Sequence, residues 1–136
     1  MVTAMNGIRG AYNFHYDRKG RLWFQVWSGG YPEIYFYDSR NGSAPLTKFE
    51  FISTLKTYYE TYGFFEQQDG TIWITGLNVF ARFLEKEKQF EFVYNGYLNE
   101  RSITYERVTS LWEDREKNIW VSTSNNGLYR FNPAEQ

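Results

Sequence analysis

The sequence contains no cysteine and a single histidine, His15, among its 136 residues. Without cysteine there is no disulfide and no cysteine-based zinc or redox site. His15 has no second histidine or cysteine with which to form a zinc cluster or a catalytic dyad, so we interpret it as a residue of the first strand. Long apolar runs are absent too, and we expect no membrane insertion in this segment.

A surplus of either charge is also missing, since 15 Lys and Arg stand against 16 Asp and Glu. This balance predicts no general attraction to nucleic acid. Calcium loops, Gly-rich phosphate loops and Gly-x-Ser-x-Gly elbows do not occur. Glu50 and Glu91 are expected at equivalent solvent-facing strand positions, which suits a structural role better than acid–base catalysis. We therefore expect no enzyme activity, no cofactor and no metal.

Aromatic residues are what the chain has in excess: 21% of it is Phe, Trp or Tyr, with only three prolines. Aromatic side chains favour pleated, half-buried surfaces, so the composition predicts a mostly β protein. Three tryptophans, Trp23, Trp73 and Trp120, are separated by 50 and 47 residues, and the segments around them align without gaps. Apolar residues flank each Trp, and another apolar residue stands nine positions before it. This pattern predicts an internal repeat.

Each copy has a polar turn between an apolar alternating run and the run that contains Trp. Asp17 opens the turn of the first copy, Gln67 that of the second and Asp114 that of the third. At this position an acceptor side chain can bind backbone N–H groups. Gly20 and Gly70 supply the left-handed position, and we expect Asn118 to supply it in the third copy.

A third and a fourth apolar run complete the unit. The fourth runs, Lys48 to Ile52 and Gln89 to Val93, both contain Phe-Glu-Phe and are expected to be equivalent strands. Four short antiparallel strands in about 47–50 residues are typical of a β-propeller blade. A two-sheet sandwich is the alternative, although it would not need the same Trp register three times. The repeated tryptophans, and Trp112 as well, are interpreted as packing residues.

The third copy carries the most specific motif, over Arg107–Asp114, Asn118–Thr123 and Asn126–Pro133. Together with Asp17–Trp23 in the first copy, it resembles the two-component regulator propeller repeat. That family builds the periplasmic sensor region of hybrid histidine kinases of Bacteroides-type bacteria. The resemblance implies a non-enzymatic sensor of oligosaccharides, located in the periplasm or outside the cell. Its Asp, Gly and Trp are folding residues, so it assigns no ligand contact.

The repeat accounts for about 2.75 blades, because the third copy lacks its outer strand. We expect residues 1–136 to be a single blade array, with blade 1 over about 11–53, blade 2 over about 62–95, and partial blade 3 over about 107–133. Residues 1–10 are a candidate strand to complete another blade. Propellers close with 4–8 blades, so two chains forming a six-bladed ring are one expectation. The other is that the remaining blades belong to a longer sensor.

Loops on one face of such blades are rich in aromatic and amide side chains. These groups suit flat, hydroxyl-rich ligands such as an oligosaccharide. They suit a protein interface equally well. The candidate ligand-binding residues are Trp27, Tyr31, Tyr58, Tyr59, Asn78, Tyr97, Arg101 and Asn125.

Overall fold

The computed structural model describes residues 8–51, 57–96 and 103–135. The chain divides into two compact units, Met1–Lys56 and Thr57–Gln136. Eleven strands and one short 3-10 helix, Pro133–Glu135, occur in the described residues, and none of these elements is an α-helix. No helix within those ranges is long and apolar enough to span a bilayer. The predicted all-β class is confirmed.

The first unit holds one four-stranded antiparallel sheet in which neighbours in sequence are neighbours in space. Such an up-and-down meander is the arrangement of a propeller blade. Its core joins Trp23 to Phe36 and Phe49, with ring centroids 4.9 and 6.2 Å from the Trp23 ring. Its strands are β1 (Tyr12–Tyr16), β2 (Leu22–Ser28), β3 (Tyr31–Tyr37) and β4 (Leu46–Phe49).

The second unit repeats this meander once and then adds three more antiparallel strands. The four-stranded sheet consists of β5 (Glu60–Glu66), β6 (Ile72–Leu77), β7 (Val79–Leu84) and β8 (Gln89–Phe92). The three-stranded sheet consists of β9 (Val108–Glu113), β10 (Ile119–Thr123) and β11 (Leu128–Phe131). The number of blades, the lack of an outer strand and the single array over 1–136 stay predictions. Of the candidate strand at 1–10, residues 1–7 lie outside the described residues.

The core of the second unit lies between its two sheets. Trp73 and Phe80 are fully buried on one face of the four-stranded sheet. Phe131 packs against both, with ring centroids 6.0 Å from Trp73 and 5.7 Å from Phe80. Ile119 and Val121 of β10 belong to the same cluster. One face of the sheet β9–β11 therefore covers the face of the sheet β5–β8 that carries Trp73.

The three turns share one contact, which the sequence predicted only in part. The residue that opens each turn accepts a hydrogen bond from the indole N–H six positions later. This contact fixes the tryptophan ring against its own hairpin and explains the constant spacing. The pairs are Trp23 Nε1 to Asp17 Oδ2 (2.7 Å), Trp73 Nε1 to Gln67 Oε1 (2.8 Å) and Trp120 Nε1 to Asp114 Oδ2 (2.9 Å).

The left-handed residue of the third turn is Lys117, with φ of 66°, and the expectation for Asn118 is wrong. Lys117 stands at the position of Gly20 and Gly70, whose φ angles are 82° and 92°. The backbone of that turn still closes from Lys117 N to Asp114 O at 3.1 Å. The hairpin geometry therefore demands a positive φ at this position even where a lysine occupies it.

The fourth strands are not equivalent in the way their Phe-Glu-Phe sequences predicted. Phe49 pairs with Ile34, two residues before the partner of Trp23, whereas Phe90 pairs with Phe83, one residue after the partner of Trp73. The β3–β4 connection is longer than the β7–β8 turn, and this shifts the register. Glu50 accordingly lies beyond the end of β4, while Glu91 lies within β8.

Trp112 is a correction, because it was expected to be a packing residue. Its side chain is 64% exposed on β9, opposite Trp120 on β10. Trp120 itself is half-buried, in contrast to the fully buried Trp23 and Trp73. Both rings lie on the face of the three-stranded sheet that points away from the core of the second unit, because side chains alternate along a strand.

Candidate binding site at the loop end of the second unit

Three of the predicted site residues meet at one end of the second unit, which we call the loop end. Asn78 stands between β6 and β7 in a left-handed conformation, φ 58°. Its side-chain amide donates to the backbone oxygen of Tyr58 at 2.8 Å, and its own N–H donates to Glu106 O at 2.7 Å. Asn125 donates to Glu106 Oε2 at 3.1 Å. The structure thus brings Tyr58, Asn78 and Asn125 together on one surface, and their role in ligand binding stays a prediction.

Charged side chains that the prediction missed surround these residues. Glu60 accepts a 2.7 Å hydrogen bond from the hydroxyl of Tyr58, and this bond raises the pKa of that tyrosine. Burial raises the pKa of Tyr62, while the positive charge of Arg107 opposes the shift. Glu106 and Arg107 precede β9 directly, on the same kind of connection as the predicted residues. That position was the signal that could have found them.

This arrangement offers two kinds of contact to a ligand. The ring of Tyr58 is more than half exposed, so its face is available for stacking. The amide of Asn125 and the carboxylate of Glu106 are exposed beside it and can bind hydroxyl groups. Among the described residues, no group of histidine and acidic side chains is placed to hold a metal ion.

Four of the other predicted residues lie in the first unit or outside the described residues. Trp27 and Tyr31 belong to the first unit, close to the two-residue turn between β2 and β3, where Gly29 and Gly30 have positive φ. Trp27 is about half exposed. Tyr97 and Arg101 lie outside the described residues.

Tyr59 is a correction, because its side chain is only 3% exposed. Side chains alternate along extended backbone, so the exposed Tyr58 sends its neighbour inward. Tyr59 therefore cannot present its ring to a ligand in solution. We assign it to the packing beneath the loop end.

A cleft of about 500 Å³ lies at the opposite end of the second unit. Its wall includes Glu113, whose carboxylate accepts hydrogen bonds from Gln67 Nε2 at 3.0 Å and from the backbone N–H of Gln68 at 2.7 Å. These bonds connect the turn between β5 and β6 to β9 of the neighbouring sheet. Arg82 borders the cleft as well and pairs with Glu91 at 2.8 Å. The hydrogen bonds of Glu113 thus hold the two sheets of the second unit together at this end, whereas Arg82 and Glu91 pair within one sheet.

The fold is similar to that of solved extracellular domains from B. thetaiotaomicron. No protein-family model matches the chain, and no curated protein does. Its structure is similar to the extracellular domain assigned to the hybrid two component system BT3049 of B. thetaiotaomicron, with a TM-score of 0.62 and 23% identity over 93% of this chain.

Two structures of the extracellular domain of BT4673 from B. thetaiotaomicron are similar as well. One, assigned to a hybrid two component system, has a TM-score of 0.58 and 23% identity over 84% of this chain. The other, assigned to a one component system, has a TM-score of 0.67 and 19% identity over 99%. The chain spans only 14–17% of these three structures. The likeness confirms, at the level of the fold, the resemblance that the repeat indicated.

Proposed function

We propose that this chain is part of a non-enzymatic sensor module built from propeller blades, placed in the periplasm or outside the cell. The proposal is supported by the shared fold with extracellular domains of two-component systems and by the repeat motif of the third copy. The turn residues of that motif bind their own tryptophans, so they belong to the scaffold. Recognition is left to the loops.

The loop end of the second unit is the proposed recognition surface, and an oligosaccharide or a similar polar ligand is the proposed class. The observation that carries it is the meeting of Tyr58, Asn78 and Asn125 with Glu106 and Arg107. A sugar ring can stack on Tyr58 while its hydroxyl groups bind the amide and carboxylate groups beside it.

Titration calorimetry with a panel of oligosaccharides tests this proposal. Tyr58→Ala is expected to weaken binding by about tenfold or more, since it removes the stacking surface. Tyr58→Phe keeps the ring and should lose only the share that the hydroxyl contributes. Lys86→Ala, in the turn at the opposite end, is the control and should bind normally. A wild-type chain that binds no saccharide of the panel would contradict the ligand class.

The second candidate function is a structural or protein-interaction propeller assembled from several chains, with a dimer as a six-bladed ring. It is favoured by large apolar side chains that stand exposed on sheet faces and not in loops: Phe14, Tyr16, Trp112 and Leu128.

A further inference from the structure

Four large exposed apolar side chains lie on two faces that the repeat itself relates. Trp112 and Leu128 are 64% and 65% exposed on the sheet β9–β11. Register places them on one face with Trp120, and we call this the tail face. Phe14 and Tyr16 are 62% and 71% exposed on the sheet β1–β4. They share a face with Leu22 and Phe24, which we call the head face.

The second unit shows what normally covers a tail face. In the sheet β5–β8 the positions equivalent to Trp112, Trp120 and Leu128 are Phe65, Trp73 and Phe80. Trp73 and Phe80 are fully buried, and Phe65 packs against the same cluster. Three side chains that are covered in one copy of the repeat are thus wholly or partly exposed in the next.

The second unit also shows which surface does the covering. Leu111, Ile119 and Val121 of the next sheet pack over Trp73. Their equivalents in the first copy are Phe14, Leu22 and Phe24, which all lie on the head face. The head face therefore has the side-chain pattern that a tail face accepts.

We propose that the head face of a second copy of this chain packs on the tail face, in the same geometry that joins the two sheets of the second unit. The proposal rests on the view that the sheets are propeller blades. It adds the identity of the two surfaces and their head-to-tail polarity.

Polar chemistry at the rim favours this pairing. Between the sheets of the second unit, Gln67 donates to Glu113 at 3.0 Å. The equivalent pair across two copies is Asp114 of one chain and Tyr16 of the other. The phenol hydroxyl donates where the carboxylate accepts, so the pair is complementary, whereas a glutamate at position 16 would set two carboxylates against each other.

Analytical ultracentrifugation of the chain over a concentration series tests the pairing. The wild-type chain is expected to sediment as a dimer. Trp112→Glu and Tyr16→Glu should each raise the dissociation constant by about tenfold or more, because each places a charge in a desolvated interface. Tyr94→Glu alters a similarly exposed aromatic that lies outside both faces and should leave the dimer intact. Circular dichroism establishes that each variant is folded, and Leu128→Lys serves as a second tail-face variant.

Mixing the two variants tests the polarity. The Trp112→Glu chain keeps an intact head face and the Tyr16→Glu chain keeps an intact tail face. Equal amounts together should form a mixed dimer through one good interface, and this dimer should be tighter than the dimer that either variant forms alone. A wild-type monomer at every concentration, or a dimer indifferent to both substitutions, would overturn the proposal. So would variants that fail to restore each other, since that result indicates association through like faces. Calorimetry of the same samples reports ligand binding separately, so a failed pairing does not count against the sensor proposal.

Discussion

The sheets β1–β4 and β5–β8 are two copies of one repeat, yet different side chains accept the hydrogen bond from the tryptophan N–H in each. In the first, a buried carboxylate, Asp17, accepts the indole N–H, and in the second a neutral amide, Gln67, does so at nearly the same distance. Asp17 also pairs with the buried guanidinium of Arg21 at 2.7 Å, and that cation lies 5.3 Å from the Trp23 ring centroid. Thr71 stands at the equivalent place in the second copy. The repeat thus requires an acceptor of fixed position and not a charge.

The two copies differ again three residues after the tryptophan, where Val26 stands in one and Gly76 in the other. A Cβ atom on Gly76 would lie 1.9 Å from the backbone oxygen of Glu60. The β5 strand carries a bulge between Thr61 and Gly63, close to this point. The strands β5 and β6 therefore approach each other at Gly76 more closely than a side chain at that position would allow.

The largest effect is expected from removing the feature that both copies share. Trp73→Ala deletes a fully buried ring and should lower the free energy of unfolding by about 3–5 kcal/mol in urea denaturation. Trp27→Ala, at a half-exposed position, should change it by about 0.5 kcal/mol or less. Equal effects of the two would break the claim that one tryptophan register organises the sheets.

Exchanging the acceptor chemistry tests the difference between the copies. Asp17→Asn leaves the Arg21 guanidinium buried without its carboxylate, and we expect a loss of about 1.5–3 kcal/mol. Gln67→Asn is the counterpart, which shortens the acceptor without changing charge. If Asp17→Asn were neutral in urea denaturation, the carboxylate would be as dispensable in the first copy as it is in the second.

Gly76→Ala should cost about 1–3 kcal/mol through the overlap with Glu60. Gly63→Ala is a matched control in β5, because no atom outside its immediate chain neighbours lies within 4 Å of a Cβ placed there. Thermal denaturation of both variants measures the difference. A stable Gly76→Ala protein would show that the strands can separate at this point.

The smallest effect is a pH dependence that belongs to the first copy. Burial alone would raise the pKa of Asp17, but hydrogen bonds from the Arg21 backbone, Trp23 and the Arg21 side chain hold that pKa below its usual value. The stabilisation is therefore complete above the unfolded pKa and is lost as the pH falls through the folded one. Urea midpoints at pH 7 and pH 3 should differ more in the wild type than in Asp17→Asn. Equal differences would indicate that the acid sensitivity comes from other carboxylates such as Asp114, whose pKa the hydrogen bond from Trp120 lowers.

The repeat explains how much of the fold could be predicted. Trp spacing and turn residues report local geometry, so the hairpins and the three sheets were predictable. Register in the fourth strand was not, because it depends on the length of the β3–β4 connection and not on the Phe-Glu-Phe sequence. Lys117 shows the same limit, since the hairpin imposes a left-handed conformation that residue preference would place at Asn118.

The loop end was predictable only in outline. Tyr58 and Tyr59 are neighbouring residues of the same type, and only the alternation of side chains along the backbone decides which one faces solvent. Glu106 and Arg107 come close to Asn125 through the pairing of sheet ends, which involves residues about twenty positions apart in sequence. The exposure of Trp112 had no local signal, because it reflects which face of a sheet is covered.

The three indole contacts give each sheet its own reporter. Trp23, Trp73 and Trp120 donate their ring N–H protons to side chains of their own hairpins. Those protons should exchange with solvent deuterium slowly, and only when the corresponding hairpin opens, whereas the N–H proton of the half-exposed Trp27 ring should exchange quickly. A single nuclear magnetic resonance experiment on the five indoles would therefore record whether the sheets open one at a time or together.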